Sequence, residues 1–96
     1  MKRDRVLGII AAHREQLQAM GVKSLDLFGS VARDEAQTGS DIDFLVEFNR
    51  PVGLFEFIEV RLYLEDLLGY PVDIGTLDAL RENFREPVLK DIIRAL

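Results

Sequence analysis

A tight Gly29-Ser30 turn, followed ten residues later by Asp41-Ile42-Asp43, constrains this chain more than any other feature. The turn ends an apolar run that closes on Leu25, Leu27 and Phe28, and the acids open a second run through Phe44, Val46 and Phe48. A strand points residues two apart to the same face, so Asp41 and Asp43 project side by side while Ile42, Phe44, Val46 and Phe48 line the other face. Two adjacent carboxylates repel and make a poor core. A divalent cation removes that repulsion, and Mg²⁺ prefers one or two carboxylates together with phosphate oxygens. A Gly-Ser turn that enters a helix offers backbone N–H groups to such phosphates.

Hydrophobic periodicity organises the rest. Val6, Ile9, Ile10, His13, Leu17 and Met20 recur at helical spacing and predict one helix over residues 3–20, stopped by Gly21. Residues 23–28 read as a strand, and Ser30 is placed to cap a short helix through Val31, Ala32 and Arg33. Residues 37–40 have turn chemistry, residues 41–48 form the second strand, and residues 49–53 form a loop. Residues 54–68 predict a long helix with a broad apolar face of Leu54, Phe57, Ile58, Leu64, Leu67 and Leu68, ended by Gly69. Residues 71–74 form a short strand in which Asp73 faces away from Val72 and Ile74. A helix is predicted from Pro87, with Val88, Leu89, Ile92, Ile93 and Leu96 as its stripe. Residues 76–86 are ambiguous, with a short helix around 77–81 as one reading. This alternation implies an α+β fold, a mixed sheet with helices packed on one side and carboxylates exposed on the other.

Ninety-six residues bound the chain to one domain, taken as 1–96, and 48% hydrophobic content suffices for a modest core. The absence of cysteine removes disulfides and thiolate zinc sites and fits a cytoplasmic location. No apolar run reaches membrane-spanning length. A net charge of −5 argues against a dedicated nucleic-acid surface.

The acids and the turn together suit nucleotidyl transfer. A two-metal site holds its ions about 3.5–4 Å apart and needs acidic ligands on neighbouring strands. Asp41 and Asp43 can bridge, and Asp73, an acid within an apolar strand, is the third candidate, as metal ligand, general base or both. Arg33, one helical turn after Ser30, can reach a terminal phosphate. Other readings of these residues are weaker. An EF-hand needs a glycine that is missing after Asp43, and a P-loop needs Gly-Lys-Ser/Thr after the glycine. A lone Asp-x-Asp is most often a solvated strand edge. His13 reads as a core or interface histidine, Asp26 and Glu47 as solvated or ion-paired, and Tyr63 and Tyr70 as packing residues.

Gly29-Ser30, the ten-residue gap, Asp41-x-Asp43 and the later Asp73 resemble the DNA polymerase β nucleotidyltransferase superfamily. Within it, Leu27-Phe28-Gly29-Ser30-Val31-Ala32-Arg33 and the short length resemble the minimal nucleotidyltransferases, MNT. The resemblance spans almost the whole chain. It implies the polymerase β-like fold, Mg²⁺ dependence with two ions, and ATP as the nucleotide. It implies Gly29 and Ser30 at the triphosphate and Asp41, Asp43 and Asp73 on metal. MNT proteins are commonly antitoxins of helical HEPN-domain RNase toxins, and some transfer AMP to a tyrosine of the toxin. One departure is Asp34, where the family often has glycine; it places a negative charge near the phosphates.

The leading expectation is transfer of AMP to a hydroxyl of a partner protein. The alternatives are an antitoxin that neutralises by binding alone and a small-molecule nucleotidyltransferase. The apolar face of residues 54–68 and the C-terminal stripe predict a helical partner or a homo-oligomer.

Overall fold

The computed structural model describes residues 2–33, 41–76 and 92–96. Among these residues four strands form one mixed sheet in the order β3-β2-β1-β4, built from β1 (Val22–Phe28), β2 (Ile42–Phe48), β3 (Val72–Thr76) and β4 (Ile93–Arg94). β1 runs antiparallel to both β2 and β4, whereas β2 and β3 are parallel. The parallel pair has the helical crossover such a connection requires, α4 (Leu54–Leu68).

Side-chain alternation sorts the sheet into two faces. Leu25, Leu27, Ile42, Phe44, Val46 and Val72 join one buried cluster with Val6, Ile10 and Leu17 from the N-terminal helices and Val60, Leu64 and Leu68 from α4. This is the core. Ser24, Asp26, Asp43, Leu45, Glu47 and Asp73 occupy the intervening positions and so face the other way.

The N-terminal periodic segment differs from the single helix expected over 3–20. It is two helices, α1 (Arg3–Ala12) and α2 (Arg14–Ala19), that break at His13. The imidazole Nδ1 donates to the Ile9 carbonyl at 2.8 Å. That is the acceptor a continuous helix reserves for the His13 backbone N–H. The displaced N–H bonds Ile10 O instead, at 3.1 Å. His13 is thus half-buried and works locally at the break.

α4 has the predicted limits, and Gly69 terminates it in the left-handed conformation at φ 75°. Its broad apolar face is only partly covered by the sheet, and Val60, outside the expected set, joins the buried side. Val60, Leu64 and Leu68 are buried and Phe57 and Leu67 are half-buried, but Leu54 and Ile58 are exposed. α3 (Gly29–Ala32) is a single turn entered directly from β1 at Phe28, with no side-chain cap. The cap expected from Ser30 is therefore not used.

The C-terminal end is the larger correction. Residues 93–94 are strand, not the helix that Ile92, Ile93 and Leu96 predicted. Leu27 pairs with Ile93, and the N–H groups of Ala95 and Leu96 both bond Leu25 O, at 2.8 and 3.0 Å. β1 has a free edge on that side, and its backbone groups recruit the tail to pair with them. Ile93 and Leu96, two members of the expected docking stripe, pack on the chain's own core together with Ala95, while Val88 and Leu89 of that stripe lie outside the described residues. The expected turn at 37–40, the short helix near 77–81 and the start of the tail helix at Pro87 lie outside the described residues.

Candidate active site

Two backbone features bring the predicted residues together. The first is strand register. Asp43 of β2 pairs directly with Asp73 of β3 and with Phe28 of β1. In a parallel pair, residues in register point to the same side, so Asp43 and Asp73 share the acid face. The second is the turn. Gly29 follows Phe28 at φ +76°, a conformation L side chains rarely adopt. The turn folds back over β2 until the Asp43 carboxylate lies against the Gly29 α-carbon. A Cβ at Gly29 would collide with Asp43 Oδ2 and stand 3.3 Å from its Cγ. Only glycine lets the turn and the carboxylate approach this closely.

The electrostatics follow from that crowding. Burial pushes the Asp43 carboxyl above the usual carboxylate value, and the negative charges of Asp73 and then Asp41 push it further in the same direction. Arg33, exposed at the end of α3, opposes them with its positive charge. Asp41 sits one residue before β2 and is exposed, as is Asp73, while Asp43 is half-buried. The Asp43 carboxylate therefore senses both of its acidic neighbours. Among the described residues, however, no three acidic, histidine or cysteine side chains close into a ready-made cation cage. A hard cation suits oxygen donors of this kind. Ser30 is half-buried beside Gly29 in the first turn of α3.

On the same face the burial of Leu45 was not anticipated, whereas Asp26 and Glu47 are ion-paired, one of the two states expected for them. Leu45, one pleat beyond Asp43, is buried at 2% exposure yet stands outside the main core cluster. Its Cδ2 reaches over Gly75, its register partner on β3, where a Cβ would sit 3.9 Å away. The acid face is therefore covered at Leu45, while Asp41, Asp73 and Glu47 on it are exposed. Asp26, opposite Leu45 on β1, is almost buried and accepts from Arg94 Nε at 2.6 Å. This ion pair ties β4 to the acid face. Glu47 accepts from Lys23 Nζ at 3.3 Å and from Ser24 Oγ at 3.4 Å. Alternation outward from Asp43 marks Leu45 and Glu47 as acid-face positions, but no sequence signal pairs Asp26 with Arg94.

The profile of the nucleotidyltransferase domain family matches residues 10–95, a span that includes every residue of the site. The protein adenylyltransferase MntA of Thermococcus cleftensis is 36% identical over 91 residues, covering 94% of this chain and 92% of that protein. A solved structure assigned as a minimal nucleotidyltransferase superposes with a TM-score of 0.80 at 35% identity, covering 97% of this chain and 95% of the other. A tri-AMPylated Shewanella oneidensis HEPN toxin in complex with MNT antitoxin shares the fold at 18% identity, with a TM-score of 0.65, covering 92% of this chain and 69% of the other. No helix among the described residues is long and apolar enough to cross a membrane. A turn held against a carboxylate, a second acid in register beside it, and a family match over nearly the full chain converge on one conclusion: this chain belongs to the nucleotidyltransferase domain family, as a minimal nucleotidyltransferase.

Proposed function

We propose that this chain, acting as a single catalytic domain over 1–96, transfers AMP from ATP to a hydroxyl of a helical HEPN-type toxin and thereby serves as its antitoxin. The observation that carries the reading is the Gly29 turn seated on Asp43, with Asp73 in register beside it. MntA of T. cleftensis is a protein adenylyltransferase, and the S. oneidensis complex joins an AMPylated toxin to an MNT antitoxin, which supports the acceptor class.

Each residue has a role in this reading. Gly29 and Ser30 present the turn to the triphosphate, and Arg33 supplies positive charge to its terminal end. Asp41, Asp43 and Asp73 form an oxygen donor set that fits Mg²⁺, with two ions as the family resemblance implies. Bound there, Mg²⁺ supplies charge neutralisation at the phosphates. Asp73 is exposed and can accept the proton of the incoming hydroxyl. The hydroxyl oxygen bonds to the α-phosphorus, the bond from that phosphorus to the β-phosphate bridging oxygen breaks, and pyrophosphate leaves.

The test is label transfer from α-labelled ATP to the toxin. Asp73→Asn retains toxin binding and loses about 10²–10⁴ in transfer rate, the usual worth of general-base help. Lasting neutralisation is lost with it. A mutant that transfers no label yet neutralises fully at unchanged affinity would establish occlusion as the biological role.

A further inference from the structure

α4 exposes an apolar stripe on the side facing away from the core. Phe55 is 83% exposed, Leu54 71% and Leu62 52%, with Ile58 beside them. At 3.6 residues per turn, Phe55 and Leu62 lie opposite the buried Val60, Leu64 and Leu68. A helix that merely roofs a core carries polar residues there. Four large apolar side chains at these exposures present roughly a few hundred Å², the size of the largest patch on a typical monomer, which is often a binding surface.

The rim says what covers it. Glu59 and Asp66, both exposed, border the stripe on one side, and Arg61 stands at its far margin beyond Leu54. Glu56 is engaged by Arg50 at 3.4 Å. The long edge of the patch is thus acidic, on a chain of net charge −5. A second copy would bring the same acids and the same net charge. An anionic membrane would be repelled by them. A basic partner meets both the apolar stripe and its rim.

We propose that the Leu54–Phe55–Ile58–Leu62 stripe docks an amphipathic helix of a partner protein whose apolar seam is flanked by lysine or arginine. The identification of that partner with the acceptor protein rests on the function proposed above; the surface and its chemistry do not.

The location shapes how docking and chemistry cooperate. α4 begins beyond the C-terminal end of β2, on the core side of the sheet, whereas Asp43 lies near the N-terminal end of β2 on the opposite face. α4 then runs back along the sheet, and its C-terminal half returns to the acid end, where Glu65 Oε2 accepts from the Val72 N–H at 3.0 Å. Leu62 therefore lies nearer the acid end than Leu54 does, with β3 as the sheet edge between the stripe and the acid face. A partner docked on the stripe presents its hydroxyl around that edge, and docking raises the hydroxyl's effective concentration without touching the site.

The test uses the full chain and a designed 21-residue amphipathic helix with leucine seams and lysine flanks, compared with its glutamate-flanked counterpart. Amide shift mapping places the lysine peptide along residues 54–66, and binding weakens with added salt. Phe55→Gln with Leu62→Gln, which alters no charge, weakens binding about tenfold or more. The same double variant retains the wild-type melting temperature and Mg²⁺·ATP response. With the toxin as substrate it raises KM and leaves kcat unchanged. Equal binding of both peptides, shifts elsewhere than α4, binding to anionic vesicles through the stripe, or self-association of the protein abolished by Phe55→Gln and Leu62→Gln would each overturn the proposal. Absence of label transfer by the wild type would overturn only the proposed activity, because peptide mapping still reads the surface.

Discussion

Replacing Gly29 by alanine separates backbone strain from the contact that builds the site. Gly29 and Gly69 have nearly the same dihedral, φ +76° and +75°, but different surroundings. A Cβ at Gly69 meets nothing within 4 Å, whereas one at Gly29 strikes the Asp43 carboxylate. Gly69→Ala therefore measures the left-handed penalty alone, about 1 kcal/mol. Gly29→Ala adds an overpacking cost of about 1–3 kcal/mol. For a domain of this size, 1 kcal/mol lowers Tm by about 4–8 °C, so Gly29→Ala should lose at least twice what Gly69→Ala loses. Asp43→Ala removes the oxygen and Cγ that the new Cβ strikes, leaving only the Asp43 Cβ at 3.4 Å. In the double variant the excess cost should disappear, giving a coupling of about 1–3 kcal/mol. The assay is urea and thermal unfolding of the metal-free protein for all five chains, wild type included. If Gly29→Ala costs no more than Gly69→Ala, or if the two changes add within about 0.5 kcal/mol, the turn does not rest on the carboxylate and the site geometry argued above is wrong.

Other expectations follow from the same geometry. The Asp43 carboxyl is raised in the folded state, so the fold binds its proton more tightly than the unfolded chain does. Stability of the metal-free protein should therefore fall as pH rises from the ordinary value of 3.8 through the raised one, and Asp43→Asn should remove that loss and raise Tm at neutral pH; a lower Tm in this variant would contradict it. Mg²⁺·ATP should raise the wild-type Tm by mass action, and Asp41→Asn with Asp43→Asn should abolish the Mg²⁺-dependent part, read by thermal scanning. Arg94→Ala strands the nearly buried Asp26 and should cost about 1–2 kcal/mol by urea unfolding, with little further loss when Asp26→Asn is added; full additivity would show that the pair does not tie β4 down.

Much of this fold was legible because its signals are local. Leu54 to Leu68 has helical periodicity with a glycine stop, and the observed limits match. The strand carrying Asp43 has strict alternation, so the separation of its acid from Ile42, Phe44 and Val46 follows from the period of an extended chain. The Gly29-Ser30 turn and the Asp41-x-Asp43 spacing were enough to suggest the family that the later comparison established. His13 defeated the same reasoning. Its spacing is helical, yet its imidazole competes with its own backbone for one carbonyl and ends the helix.

What periodicity cannot specify is who pairs with whom. Residues 92–96 carry a helical spacing of apolar side chains and still become strand, because the unpaired edge of β1 offers hydrogen bonds that an exposed helical turn cannot match. The core-facing side of α4 was likewise decided by packing: the sheet accepts Val60, Leu64 and Leu68 and leaves Leu54, Phe55 and Leu62 to solvent. The candidate site divides along the same line. Sequence order places an acid in each of two strands and a glycine at the end of a third. Only the parallel pairing of β2 with β3 sets Asp73 beside Asp43, and only the left-handed turn at Gly29 lowers the chain onto that carboxylate. Residue type and spacing are properties of a segment, whereas register is a property of two segments whose backbone groups must satisfy each other.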